Sequence, residues 1–242
     1  GLQERLITRL MRQLLLALDH LVTCGVEHQD VKPENMMLFD VSLASAHAEL
    51  KLGDFGWAAV CSQHVTESIP LATGAGSLWY APPELNPPVR GVPIELDPPT
   101  DIHGQPLRGR SDMWSAGVVT YLLLVGHNPF NAALLLQEPG AVDAEVLRLV
   151  ALGAFNRRSD KWLRLSVDAR DFVSGLVKVR PGARPSPKEG LHHPFLSRRL
   201  ARSGGSSVFF HGPVVSDWAE GLVEREGIWY RLDGLPQPGW VG

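Results

Sequence analysis

The stretch "SDMWSAGVVTYLLLVG", Ser111 to Gly126, limits the fold more than any other part of the chain. Ser111 suits a helix N-cap, and the residues after it are apolar on nearly every side. A helix with no polar face has to be wrapped by other elements, so the chain must build its fold around this one. The wrapping helices are visible. Leu2, Leu6, Ile7, Leu10, Met11, Leu14, Leu15, Leu18, Leu21 and Val22 recur at helical spacing and predict a long amphipathic helix ending near Gly25. "DAEVLRLVALGAF" and "SVDARDFVSGLV" predict two more. "SPKEGLHHPFL" opens on Ser186, Pro187 and Glu189, which are an N-cap, a proline at the first helical position and a capping-box partner. Two short strands, "NMMLF" and "ELKLG", flank "DVSLASAHA" as a hairpin. The expected fold class is mainly α, a helical bundle with one small β-hairpin.

Composition narrows the function. The chain has 242 residues, 44% hydrophobic and 20% charged, with a net charge of −3. It can bury a sizeable core, and its charge balance gives no electrostatic case for nucleic acid or an anionic membrane as main partner. Cys24 and Cys61 are too few for a disulfide framework and form no CxxC pair, which fits free thiols in a reducing compartment, the cytoplasm or nucleus. The longest apolar run, "GVVTYLLLVG", is too short to span a bilayer. His64, His127, His192 and His193 have no metal-binding spacing and read as surface or helix-end residues. From Asp54 to Glu84 the chain is polar, Gly-rich and aperiodic, and "NPPVRGVPIELDPPTDIHGQPLRGR" is a Pro/Gly-dense surface loop. The character changes near residue 200. "ARSGGSSVFFHG" reads as a linker, and "GIWYRLDGLPQPGWVG" as β structure around a turn. The domain expectation is therefore 1–199 as one body, and 200–242 as a linker with a Trp-rich tail, either a β-hairpin or part of an SH3-like module.

The motifs carry the chemistry through their order. "HQDVKPEN" precedes the strand pair, "GDFG" follows its second strand, and "GSLWYAPPE", "SDMWSAGVV" and "RPSPKEGLHHPF" come after in that sequence. On these motifs residues 1–199 resemble the protein kinase family, specifically its large C-terminal lobe. Lys32 followed by "PEN" resembles the serine/threonine branch, and the central-helix segment is most similar to the calcium/calmodulin-dependent group. The resemblance implies ATP and Mg²⁺ as cofactors and a protein Ser or Thr hydroxyl as acceptor. It implies that Asp30 is the catalytic aspartate, that Lys32 reaches the γ-phosphate, that Asn35 and Asp54 are the Mg²⁺ ligands, and that Met37 floors the adenine. Ser77 would bridge Asp30 and Lys32. Such chemistry is positioning plus charge neutralisation, and oxygen ligands suit Mg²⁺. The resemblance also implies framework roles: His28 against Phe55, Glu84 paired with Arg184, and Asp112 bonded to the catalytic-loop backbone.

Departures from the pattern matter equally. Gln29 stands where many kinases carry an arginine that receives a phosphate on the activation segment. The sequence between Phe55 and Leu78 has no Lys or Arg. A neutral amide cannot replace a guanidinium there, so activity is expected not to depend on phosphorylation of Thr66, Ser68, Thr73 or Ser77 through such a clamp. Pro82 begins the APE-like motif, the segment from Glu84 to Asp112 is long, and Arg180 replaces a frequent aspartate. The sequence holds no Gly-rich phosphate loop and no strand lysine. The expectation is thus a C-lobe with its N-lobe absent, a fragment or a truncated relative, that transfers phosphate only when an N-lobe completes it. The rival reading is a pseudokinase or scaffold lobe acting as a protein-interaction module. A small-molecule kinase of the aminoglycoside type would lack the APE-like and central-helix motifs.

Overall fold

A computed structural model describes residues 2–39, 49–60, 76–92, 107–136, 138, 140–197, 222–225 and 228–231. The chain divides into two compact units, Gly1–Arg199 and Leu200–Gly242.

In the first unit, helix α1 (Leu2–Thr23) buries Ile7, Leu10, Met11, Leu14, Leu15 and Leu18. Those positions step by three and one, which is the stripe of a 3.6-residue period. The helix stops where Gly25 turns left-handed at φ 72°, a conformation that costs glycine nothing. Strand β1 (Val26–Glu27) follows. A 3₁₀ turn, Pro33–Asn35, then leads into β2 (Met36–Phe39), which pairs antiparallel with β3 (Glu49–Leu52) in the register Met36↔Leu52, Met37↔Lys51, Leu38↔Leu50 and Phe39↔Glu49. This is the hairpin that the sequence predicts. The described part of the aperiodic segment after it includes a strand the sequence does not announce. Strand β4 (Ala59–Val60) pairs antiparallel with β1, Val26 with Val60 and Glu27 with Ala59. Two-residue strands are too short to show a period of two.

Helix α2 (Arg110–Val125) is the central element. Met113, Trp114, Ala116, Val118, Val119 and Tyr121 are fully buried, as a helix without a polar face requires. Its N-cap is not Ser111 but Gly109, left-handed at φ 72°. Ser111 lies inside the helix and donates its Oγ hydrogen to Glu84 Oε1 at 3.0 Å. Gly117 lets the 176–177 segment press against α2: a Cβ there would come 2.7 Å from Leu176 Cβ and 2.9 Å from Val177 Cγ2. Helices α3 (Ala141–Ala151), α4 (Asp160–Leu163) and α5 (Val167–Leu176) surround it. The side chain of Ser159 caps α4 and that of Ser166 caps α5. Tyr121, Phe155 and Trp162 form a ring cluster, with Tyr121 and Trp162 stacked at 5.3 Å. The single helix expected from "SPKEGLHHPFL" is two short ones, α6 (Pro187–Gly190) and α7 (Pro194–Ser197). Pro194 has no N–H to continue α6, and it starts α7 instead. The capping box of Ser186 and Glu189 forms as predicted. Among the described residues, no helix is long and apolar enough to cross a membrane.

In the second unit, β5 (Leu222–Arg225) pairs antiparallel with β6 (Ile228–Arg231), with Leu222 opposite Arg231. The turn that the sequence suggests after "IWYR" falls on 232–242, outside the described residues.

Candidate active site

The polar loop between β1 and β2 is tied down from several sides. His28 is fully buried. Its Nδ1 accepts the Asp30 N–H at 3.3 Å, so the ring proton belongs on Nε2, which donates to the Gly53 carbonyl at 3.0 Å. Burial lowers the imidazole pKa below its ordinary value, consistent with a neutral ring satisfied at both nitrogens. Its face meets Phe55 with ring centroids 4.9 Å apart. Thus the loop before β2 and the turn after β3 are joined through one imidazole.

Gln29 and Asp54 are the described non-glycine residues with positive φ, 62° and 59°. Left-handed backbone is costly for L-residues other than glycine, least so for Asp and Asn, and persists where other bonds hold it. At Gln29 those bonds come from α2. Asp112, 1% exposed, accepts the His28 N–H at 2.8 Å and the Gln29 N–H at 2.7 Å, one on each carboxylate oxygen. Its burial pushes the carboxyl up to about 6, against the two amide bonds that favour the charged form.

Asp30, 3% exposed, takes Lys32 Nζ at 2.7 Å and Asn35 Nδ2 at 3.1 Å on its Oδ2. The same Asn35 nitrogen donates to the Asp30 carbonyl at 2.8 Å. This fixes the orientation of the Asn35 amide. Asn35 O in turn accepts the Gly53 N–H at 2.9 Å, so the residue before Asp54 is anchored to the loop. Asp54 is exposed, and its Oδ1 accepts the Gly56 N–H at 3.2 Å. An amide oxygen and an exposed carboxylate are the donor types that Mg²⁺ takes.

Met37 lies mid-strand in β2, 41% exposed beside the turn that carries Asp54. Phe55 and Trp57 are also exposed apolar residues there, at 49% and 39%. Of Ser77 only the backbone is described, in the 3₁₀ turn Gly76–Trp79; its side chain, like residues 61–75 with Thr66, Ser68 and Thr73, lies outside the described residues. Arg184 and Glu84 pair as the sequence suggested, Nη1 to Oε1 at 2.6 Å and Nη2 to Oε2 at 2.8 Å. The structure adds a residue that sequence reasoning missed. Glu27, directly before His28, is a partly buried carboxyl whose Oε1 accepts the Gly109 N–H.

The protein kinase domain family model matches residues 1–196. The chain is 32% identical over 198 residues to the calcium/calmodulin-dependent protein kinase cmkA of Emericella nidulans, covering 82% of this chain and 41% of that protein. It is 28% identical over 185 residues to the serine/threonine-protein kinase RAD53 of Saccharomyces cerevisiae, covering 76% and 20%. Among solved structures, the twitchin kinase region of C. elegans superposes with a TM-score of 0.59 at 29% identity, over 85% of this chain and 30% of that one. The chain thus spans between about a fifth and two fifths of these proteins. With the match running through the Asp30 loop, the Asp54 turn, the Glu84–Arg184 pair and the central helix, the chain belongs to the protein kinase domain family.

Proposed function

We propose that residues 1–199 are the catalytic C-lobe of a serine/threonine protein kinase, which transfers the γ-phosphate of ATP to a protein hydroxyl when an N-lobe completes it. The observation that carries this reading is the hydrogen-bonded set Asp30, Lys32 and Asn35, held to a rigid central helix by Asp112. A loop that served only as scaffold has no need of a lysine and an amide converging on one buried carboxylate oxygen.

Each residue has a role of its own. Asp30 orients the acceptor hydroxyl and takes its proton as the new oxygen–phosphorus bond forms and the bond to the leaving diphosphate breaks. Lys32 orients the carboxylate through the 2.7 Å ion pair, and its ammonium would meet phosphate charge. Asn35 and Asp54 would hold Mg²⁺, which supplies charge neutralisation on the phosphates when bound. Among the described residues no cluster of three or more His, Cys, Asp or Glu forms a metal cage, so the remaining ligands would be water and phosphate, as Mg²⁺ prefers. Met37 offers an apolar surface for the adenine.

The test is Asp30→Asn in the protein with its N-lobe in place, assayed for phosphate transfer to Ser/Thr peptides. The rate should fall by at least about a hundredfold, while the near-isosteric amide leaves the denaturation midpoint almost unchanged. Retained transfer would sink the assignment of Asp30 and the reading with it.

A further inference from the structure

Glu27 is a partly buried carboxyl that the transfer chemistry above does not use. Its Oε1 accepts the N–H of Gly109, the N-cap of α2, and its carboxyl lies close enough to the Gln29 side chain to be stabilised by it. The donor is closely packed. Gly109 sits at φ 72°, and a Cβ there would come 2.6 Å from Val22 Cγ2 and 3.2 Å from Pro187 Cγ, so α1, α2 and α6 pin this amide together. From the other side, Asp112 in the first turn of α2 accepts the N–H groups of His28 and Gln29. Loop and helix therefore clasp each other reciprocally. A carboxylate from the helix grips two loop amides, and a carboxylate from the loop grips the amide that opens the helix. Gln29, with its left-handed backbone, lies between them.

The carboxyl group is costly in this place. Burial first, then the charges of Asp112 and Glu84, push it up to about 7 against the two hydrogen bonds that lower it. An apolar strand residue would carry no such cost. What offsets it is the bridge, together with the positive end of a 16-residue helix.

We propose that Glu27 is a positioning residue for phosphate transfer: through Gly109 and Gln29 it fixes the Asp30 loop to the first turn of α2, so that an internal hydrogen bond sets the loop geometry where position 29 carries no cation. The proposal rests on the kinase reading, and its test separates the two.

Glu27→Ala, Glu27→Gln, Gln29→Asn and the Ala/Asn double variant are compared in the protein with its N-lobe. Asparagine tolerates the left-handed backbone but is one methylene shorter. Glu27→Ala and Gln29→Asn should each lower kcat about tenfold with KM for ATP and peptide unchanged, as a small misplacement of a catalytic group does. The double variant should be no worse than Glu27→Ala, because the two residues act as one link. Glu27→Gln should keep most of kcat, since its amide oxygen can accept the Gly109 N–H. Additive losses, full activity of Glu27→Ala, or failure of Glu27→Gln to rescue would overturn the proposal. Hydrogen exchange at the Gln29 and Gly109 amides is read in parallel on the present chain. It should accelerate about tenfold in Glu27→Ala and not in Glu27→Gln, and unchanged exchange overturns the clasp. If the unmodified protein transfers no phosphate, the kinase reading falls, and this second arm still judges Glu27 on its own.

Discussion

Removing the Glu84 carboxylate should be among the most damaging single changes available to this domain. Its partner Arg184 is 1% exposed. Besides the two bonds to Glu84, Arg184 donates Nε to the Lys178 carbonyl at 2.7 Å, Nη1 to the Arg110 carbonyl at 2.9 Å and Nη2 to the Val179 carbonyl at 2.9 Å. Its guanidinium also lies 5.2 Å from the centre of the Trp114 ring. Breaking a buried pair by deleting one partner costs roughly 3–5 kcal/mol, because the other charge stays buried without compensation. Here three carbonyls and an aromatic face still solvate the cation, the latter by about 0.5–2 kcal/mol. The expected loss for Glu84→Gln is therefore near the lower end, about 3 kcal/mol. Ser111 also loses its charged acceptor. Against a domain stability of about 5–15 kcal/mol that is a large fraction. Urea denaturation followed by tryptophan fluorescence is the assay. Trp114 lies directly on the group that is disturbed. Arg184→Met should cost a similar amount, and the double variant Glu84→Gln with Arg184→Met should cost clearly less than the two single losses added together. A loss below about 1 kcal/mol for Glu84→Gln, the range of an exposed pair, would show that water reaches Arg184 and that the pair does not anchor the segment.

Two further outcomes follow from the fold. Burial and mutual repulsion raise Glu27 from 4.5 to about 7 and burial raises Asp112 from 3.8 to about 6, so the folded chain holds protons that the unfolded chain has already lost. Unfolding free energy should then fall as pH rises from about 4 to 7, with Glu27 contributing at most about 3 kcal/mol of that fall. Denaturation midpoints of Glu27→Gln across this range should show a flatter slope than the parent, and identical slopes would contradict the buried-carboxyl account. Gly117→Ala should cost about 1–3 kcal/mol, because its methyl would have to displace Leu176 and Val177 in a packed core; an unchanged melting temperature would mean that α2 and α5 pack less tightly than the distances indicate.

What could be read from the sequence was whatever depends on near neighbours. Lack of a polar face was enough to place α2 at the centre, and alternation with turn residues was enough to find the β2–β3 hairpin. The order of motifs was enough to select Asp30, Lys32 and Asn35, which the structure joins by hydrogen bonds. Asp54 comes to the same loop through His28, Phe55 and Gly53. The misses have long-range causes. Ser111 has the residue type of a cap, but Glu84, 27 positions earlier, takes its hydroxyl, and a left-handed Gly109 starts the helix. Pro194 splits what reads as one helix. The left-handed Gln29 and the purpose of Glu27 depend on groups in α2 more than 80 positions away, and no local pattern announces such a partner.

The Glu4 carboxylate in the first turn of α1 accepts the N–H of Ser166 at 2.8 Å, across 162 positions of chain. Leu15 on the same helix packs at Gly190, where even a Cβ would come 2.8 Å from its Cδ2. The apolar stripe of α1 thus leaves the ribosome long before the segments that cover it. At about 5–20 residues per second, roughly 10–30 s of translation separate Glu4 from its partner. During that interval β3 and α2 can already cover part of the stripe, but the part that packs on α6 and α7 stays exposed. Synonymous changes that alter the pace of translation between α1 and α5 should therefore change the soluble yield of this domain without altering a single side chain.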